Sequence, residues 1–290
     1  MDPADTSMTG TESGAPAKTS KAGRNLPAAI AVGVGLGGMA IGSLLFAPTW
    51  WLALLGAAIA MATHEVIRRL REHGYSIPAV PLMVGGQAMI WLAWPWGVAG
   101  TLGAFGATVV AAMVWRLVGQ GLSVQPVNYL RDISAAVLLA TWVPLFASFT
   151  SLLIFQENGG VRVFTVIVTV VFADIGGYTA GVLFGKHPMA PAISPKKSWE
   201  GLGGSLLFGI TAAVLSVMFL LHKPAWVGLP LGLLLVITGV LGDLVESQVK
   251  RDMGIKDMGT LLPGHGGMMD RIDAMLPSAV VGWIVLTLLA

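Results

Sequence analysis

The residues able to do chemistry crowd toward the C-terminus. From Ser247 to Asp273 the chain reads SQVKRDMGIKDMGTLLPGHGGMMDRID, with Lys250, Arg251, Asp252, Lys256, Asp257, Asp270, Arg271 and Asp273 inside it. Just upstream, GDLVESQVKR puts Asp243, Glu246, Ser247 and Lys250 on one face of a helix through three- and four-residue spacing. Asp270 and Asp273 repeat the i, i+3 relation. Carboxylates that converge without His or Cys pairs suit hard cations held by oxygen, Mg2+ ahead of zinc. Beside a polyphosphate, such cations clamp oxygens for in-line displacement. The plainer alternative is a set of surface ion pairs, each worth little. A solvated charge run, however, has no need of the interleaved Gly254, Gly259, Gly264, Gly266 and Gly267.

Two further groups could join this one. The stretch GKHPMAPAISPKKSWEG gathers Ser194, Lys196, Lys197 and Ser198 around Pro195. Two ammonium groups and two hydroxyls form a phosphate cradle, or the lysines are orientation signals beside a membrane span. Asp174, in VVFADIGGYTAG, falls mid-way along an apolar run. A carboxylate there costs about 2.5–3.5 kcal/mol to insert, so it faces a wet cavity or a partner. Tyr178, one turn on, could be that partner. His265, in PGHGG, could bind phosphate or order the turn; His64, His73, His187 and His222 stand singly, as interfacial or loop residues. No GxxxxGK[ST] nucleotide loop occurs. Gly33, Gly35 and Gly38 match a dinucleotide fingerprint in spacing, but they sit inside an apolar run without a preceding strand and read as helix-packing residues.

The elements that carry these residues are apolar. Hydrophobic residues make up 55% of the 290 and charged residues 11%, against roughly 25% charged in a soluble domain. That composition predicts an all-α polytopic membrane protein. Cys is absent, which removes disulfides, thiolate zinc sites and cysteine nucleophiles. Residues 1–25 read as a disordered cytoplasmic tail, rich in small polar residues, and residues 26–290 as one transmembrane domain. About nine helical spans are expected: Pro27–Ala47, Trp50–Ile67, Ile77–Trp96, Val98–Val118, Ile133–Phe155, Val163–Phe184, Leu202–Leu221, Trp226–Val245 and Ile272–Leu289. With the N-terminus in the cytoplasm, every Lys and Arg except Arg162 and Lys223 falls on the inner side, as the positive-inside rule prefers. The polar stretches Gly185–Gly201 and Glu246–Arg271 then both face the cytoplasm, where a water-soluble substrate would be met.

The run S-x-V-K-R-x4-K-D-x-G-x2-L-P-x-H-G-G-M-x-D-R-I-D, Ser247 to Asp273, resembles the signature of the phosphatidate cytidylyltransferases, or CDP-diacylglycerol synthases. Asp174 with Tyr178 and the SPKKSWEG of Ser194 to Gly201 resemble that family as well, Ser198 standing where Thr is usual. The specific resemblance covers roughly Val163 to the C-terminus. It implies transfer of a cytidylyl group from CTP to phosphatidic acid, giving CDP-diacylglycerol and pyrophosphate, in the plasma (cytoplasmic) membrane with the site facing the cytoplasm. It also implies Mg2+, a two-metal site in which K+ can be the second cation, and a homodimer. No nucleic-acid partner is expected.

Matching to the family's acidic positions assigns Asp243 and Asp270 to metal binding, with Asp273 a weaker third. Lys196, Lys197, Lys250 and Arg251 would contact phosphates, with Ser194, Ser198 and Ser247 as hydroxyl partners. Lys256, His265, Arg271, Asp174 and Tyr178 would belong to the substrate sites. Two other functions remain open at this point. A CTP-dependent polyprenol kinase would release CDP rather than leave the α-phosphate on lipid. An ion-coupled transporter would use Asp174 and Asp243 as cation sites, but it would place its polar residues at the midplane rather than on one face.

Overall fold

A computed structural model describes residue 35 and residues 37–44, 46–259 and 266–290. The expected tail, much of the first expected span and His265 lie outside the described residues. Helix α1 is Pro48–Glu72, α2 Ala79–Trp91, α3 Ala93–Gln120, α4 Tyr129–Ala140, α5 Phe146–Ile154 and α6 Gly159–Phe184. Strands β1 (Pro188–Ala190) and β2 (Ser194–Ser198) follow, then α7 Trp199–Phe219, α8 Ala225–Asp252, α9 Met269–Ile272 and α10 Met275–Leu289.

Among the described residues, 7 helical segments are long and apolar enough to cross a membrane: α1, α3, Tyr129–Ile154, α6, α7, α8 and Met269–Leu289. Tyr129–Ile154 joins α4 to α5 through a wide turn, Thr141–Leu145, containing Pro144. A ring without an N–H is tolerated where the hydrogen-bond ladder is already loosened. The third expected span, Ile77–Trp96, is cut short. Helix α2 ends after 13 residues, about 20 Å at 1.5 Å per residue, less than a ~30 Å core requires. The cause lies in LAWPWG: Pro95 enters the first turn of α3, where its missing N–H costs nothing. Gly97, at φ 53°, then kinks that helix.

The apolar sequence is spent in two ways. Leu52, Ile59, Leu139, Leu153, Leu231, Leu235 and Leu286 are fully buried between helices. Val110, Val114, Leu117 and Val118 of α3 face outward, as lipid-facing residues do. Helices α6 and α7 approach to backbone contact, since a Cβ on Gly176 would stand 2.5 Å from the carbonyl oxygen of Gly204. Small residues permit this approach, and it is a main route to affinity between helices in lipid.

The stretch expected as a polar loop after α6 contains an antiparallel hairpin, Pro188 pairing with Ser198 and Ala190 with Ser194. Ser198 also caps α7, its hydroxyl accepting the Gly201 amide at 3.1 Å. The hairpin therefore hangs between the C-terminal end of α6 and the N-terminal end of α7. The end of α8 meets it through Lys197 with Asp243 and Arg251 with Ile193, and the ends of α1 and α9 meet the chain that follows α8.

Candidate active site

Helix α8 runs past its expected end at Val245 to Asp252, so Asp243, Glu246, Ser247 and Lys250 do occupy one helical face. Ser247 Oγ donates to Asp243 Oδ1 at 3.3 Å, and Lys250 forms an ion pair with Glu246 one turn back. The chain then leaves the helix and, beyond the described residues 253–259, re-enters the bundle at α9. Asp273 follows α9, its Oδ1 accepting the Ala274 amide at 2.8 Å. It can stand beside α8 because Gly242 is there: a Cβ on Gly242 would meet the Asp273 carbonyl oxygen at 2.8 Å and Pro277 Cγ at 2.7 Å.

This approach assembles three carboxylates. Single oxygens of Asp243, Glu246 and Asp273 lie within 4.8 Å of one another. Full ionisation of such a group costs roughly 3.5 kcal/mol per pair at an effective dielectric of about 20. Glu246 is completely buried, and its Oε1 has no hydrogen-bond partner among the described residues. An all-oxygen donor set that includes a buried carboxylate with an oxygen left unpartnered among the described residues fits Mg2+.

Asp270, expected as a metal ligand, is placed differently. Its carboxylate accepts Lys250 Nζ at 3.0 Å, the Met258 amide at 3.0 and 3.1 Å and the Gly267 amide at 2.9 Å. It clasps the two ends of the signature segment, and Glu246 takes its place in the trio. The i, i+3 spacing from Asp243 puts Glu246 on the right face in the sequence; its burial could not be read there.

The hairpin supplies the cations. Lys197 Nζ lies 2.6 Å from Asp243 Oδ2. A cavity of roughly 320 Å3, within the range of small-molecule pockets, is lined by Asp174, Tyr178, Ser194, Lys196, Lys197, Ser198 and Asp243. Four of these residues belong to the hairpin, two to α6 and one to α8, so three elements border one space. Arg251, expected on phosphate, ties α8 to the hairpin through the Ile193 carbonyl at 3.2 Å and reaches the Ile255 carbonyl beyond the helix end at 3.4 Å. Lys256 is exposed on the signature segment.

Met269–Leu289 has two opposite faces. Asp270 and Asp273 point to the polar centre. Met268, Arg271, Ile272, Met275, Leu276 and Ala279 line a second cavity of roughly 340 Å3, closed by apolar residues of α1, α5 and α6. Arg271, expected with the phosphates, is the charged residue of that lining.

Helix α1 contributes what sequence reasoning missed. Arg69 reads there only as an orientation charge and His73 as an interfacial residue, and Glu65 draws no notice. All three bond to the backbone of the signature segment. Their four-residue spacing was visible, but their partners lie roughly 180 to 200 positions away, beyond any local pattern.

Residues 27–289 match the cytidylyltransferase family. The phosphatidate cytidylyltransferase of Mycobacterium leprae is 59% identical over 282 residues, covering 93% of this chain and 90% of the relative. That of Mycobacterium bovis is 58% identical over 280 residues, covering 94% and 92%. The phosphatidate cytidylyltransferase of Pseudomonas aeruginosa is 39% identical over 163 residues, 56% of this chain and 54% of its own length. With the acidic trio, the lysines beside it and the apolar bundle that holds them, these likenesses show that the chain belongs to the cytidylyltransferase family, among the phosphatidate cytidylyltransferases.

Proposed function

We propose that the centre built by α8, α9 and the hairpin transfers the cytidylyl group of CTP to phosphatidate, giving CDP-diacylglycerol and pyrophosphate for phospholipid synthesis. The observation that carries this is the meeting of Asp243, Glu246 and Asp273 with Lys197 and Lys250 beside a polar cavity. A phosphatidate oxygen attacks the α-phosphorus of CTP; the bond to the β-phosphate breaks in line and pyrophosphate departs. A phosphomonoester has its second pKa near ~6, so the nucleophile is largely ionised at neutral pH and needs no strong base. Positioning and charge neutralisation then do the catalytic work. Asp243, Glu246 and Asp273 would hold Mg2+, which when bound would supply neutralisation of phosphate oxygens, with K+ as a candidate second cation. Lys197 and Lys250 pair with carboxylates in this structure and turn to phosphate when substrate arrives. Ser194, Lys196 and Ser198 line the same cavity on the side from which CTP enters, with Ser247, Asp174 and Tyr178 around it. Lys256, Arg251, Arg271 and His265 stay assigned to the substrate sites by resemblance. The cavity behind α9 receives the acyl chains.

The finer topology belongs to the same reading. Nine crossings, with residues 27–47 and α2 completing the count, α2 as a short crossing met by local thinning of the bilayer, keep the lysines and arginines on the cytoplasmic side of a plasma membrane. The protein works as a homodimer.

The test uses purified protein in lipid nanodiscs with α-labelled CTP and phosphatidate. Labelled CDP-diacylglycerol and pyrophosphate form only with Mg2+ present. Asp243→Asn lowers kcat/KM by about 100-fold or more, with the melting temperature kept. Release of CDP with no label on lipid would overturn the transfer in favour of a kinase.

A further inference from the structure

Glu65, Arg69 and His73 recur every four residues, so they form one stripe along the last turns of α1. The stripe grips the signature segment at three levels. His73 Nε2 bonds the Met253 carbonyl at 2.7 Å, with its Nδ1 at 2.7 Å from the Arg69 carbonyl. Arg69 donates from Nε to the Met258 carbonyl at 2.8 Å and from Nη2 to the Asp257 backbone carbonyl at 3.3 Å, and pairs with Glu72 through Nη1 at 2.8 Å. Glu65 accepts the Met268 amide on Oε1 and the Met269 amide on Oε2, each at 3.0 Å.

The Glu65 contact is unusually constrained. The residue is 3% exposed. A Cβ on Gly259 would overlap its Oε1, and one on Gly267 would stand 2.6 Å from its Oε2. Two glycines of the signature thus leave the slot the carboxylate fills. The amides it holds open α9, and Asp273 lies one turn beyond Met269. Asp270 clasps Met258, which Arg69 also holds, and Gly267, the neighbour of the Met268 that Glu65 holds.

We propose that Glu65 is a positioning residue for cytidylyl transfer: by fixing the start of α9 it sets where Asp273 stands relative to Asp243 and Glu246. The proposal rests on the reading of that trio as the cation site. It is separable from the reaction itself, because cation binding can be followed without turnover.

The experiment compares wild type, Glu65→Gln and Arg69→Gln as full chains in nanodiscs. Mn2+ binding is read from the free-ion EPR signal, alongside thermal unfolding and the KM for CTP and for phosphatidate. Glu65→Gln keeps the volume but turns an NH2 group toward a backbone N–H. It should weaken Mn2+ binding about tenfold or more, as loss of a group orienting a metal ligand does. The KM for phosphatidate should stay within twofold and the melting temperature within about 3 °C. Arg69→Gln, at the more exposed end of the stripe, shifts Mn2+ binding in the same direction by less, and carries the test if Glu65→Gln does not fold. Unchanged Mn2+ binding in the folded variants, or a fall in melting temperature that alone accounts for lost activity, overturns the proposal. Wild-type protein that binds Mn2+ but makes no CDP-diacylglycerol would sink the reaction and leave the role of Glu65 to be decided by the binding series.

Discussion

Asp270 and Asp273 are alike in the sequence: both acidic, three apart, at the mouth of an apolar run. Their surroundings separate them. Asp270 is saturated by an ammonium group and two backbone amides, whereas Asp273 faces two other carboxylates. Glu246 shows the difference most sharply, one oxygen paired to Lys250 and the other without a partner among the described residues. Glu246→Gln should therefore raise the Mg2+ needed for half-maximal turnover about tenfold or more, while folding stability holds or rises as repulsion is relieved. Asp270→Asn should do the reverse. It puts an NH2 group against a backbone donor, costing about 1–3 kcal/mol of stability, with a smaller shift in Mg2+ dependence. Magnesium titrations of turnover paired with melting curves check both. The sequence discloses that Asp243, Glu246, Ser247 and Lys250 share a face, because helical spacing is local. Which carboxylate ends up with free lone pairs depends on the amides of Met258 and Gly267, and no spacing rule reports those.

Elements differ in how much of themselves they disclose. The continuous apolar runs predict α6, α7 and α8 closely, since a backbone in hydrocarbon has few alternatives to a helix. Ile77–Trp96 misleads for the same reason: composition makes it one span, while Pro95 and Gly97 move the break to Leu92. The hairpin is hidden because strands of 3 and 5 residues carry no apolar alternation. It is held from outside, by Lys197 on Asp243 and by Arg251 on Ile193. Ser198 sits at its junction with α7 and serves as that helix's cap. Ser198→Ala should cost about 1 kcal/mol of stability. Ser198→Thr, the residue usual in the resembling signature, keeps the hydroxyl and should be near neutral. Thermal unfolding of the two variants side by side decides whether the hydroxyl is retained for capping.

At the scale of the whole molecule, the arrangement of charge makes a directional claim that the absence of Cys renders easy to test. Lys186 lies between α6 and the hairpin, and Lys223 between α7 and α8. In right-side-out vesicles, a membrane-impermeant maleimide should label Lys223→Cys and leave Lys186→Cys unlabelled until the membrane is opened. Labelling in the opposite sense would invert the topology and put the polar cavity outside the cell.

The two faces of Met269–Leu289 have a consequence for how a lipid and a nucleotide can react. The partition between the carboxylate trio and the apolar cavity is one helix thick. An amphipathic molecule can straddle a wall that thin, with its phosphate in the wet compartment and its chains still in oil. The dielectric boundary then passes through the substrate, and nothing has to be lifted out of the bilayer for the two reactants to meet.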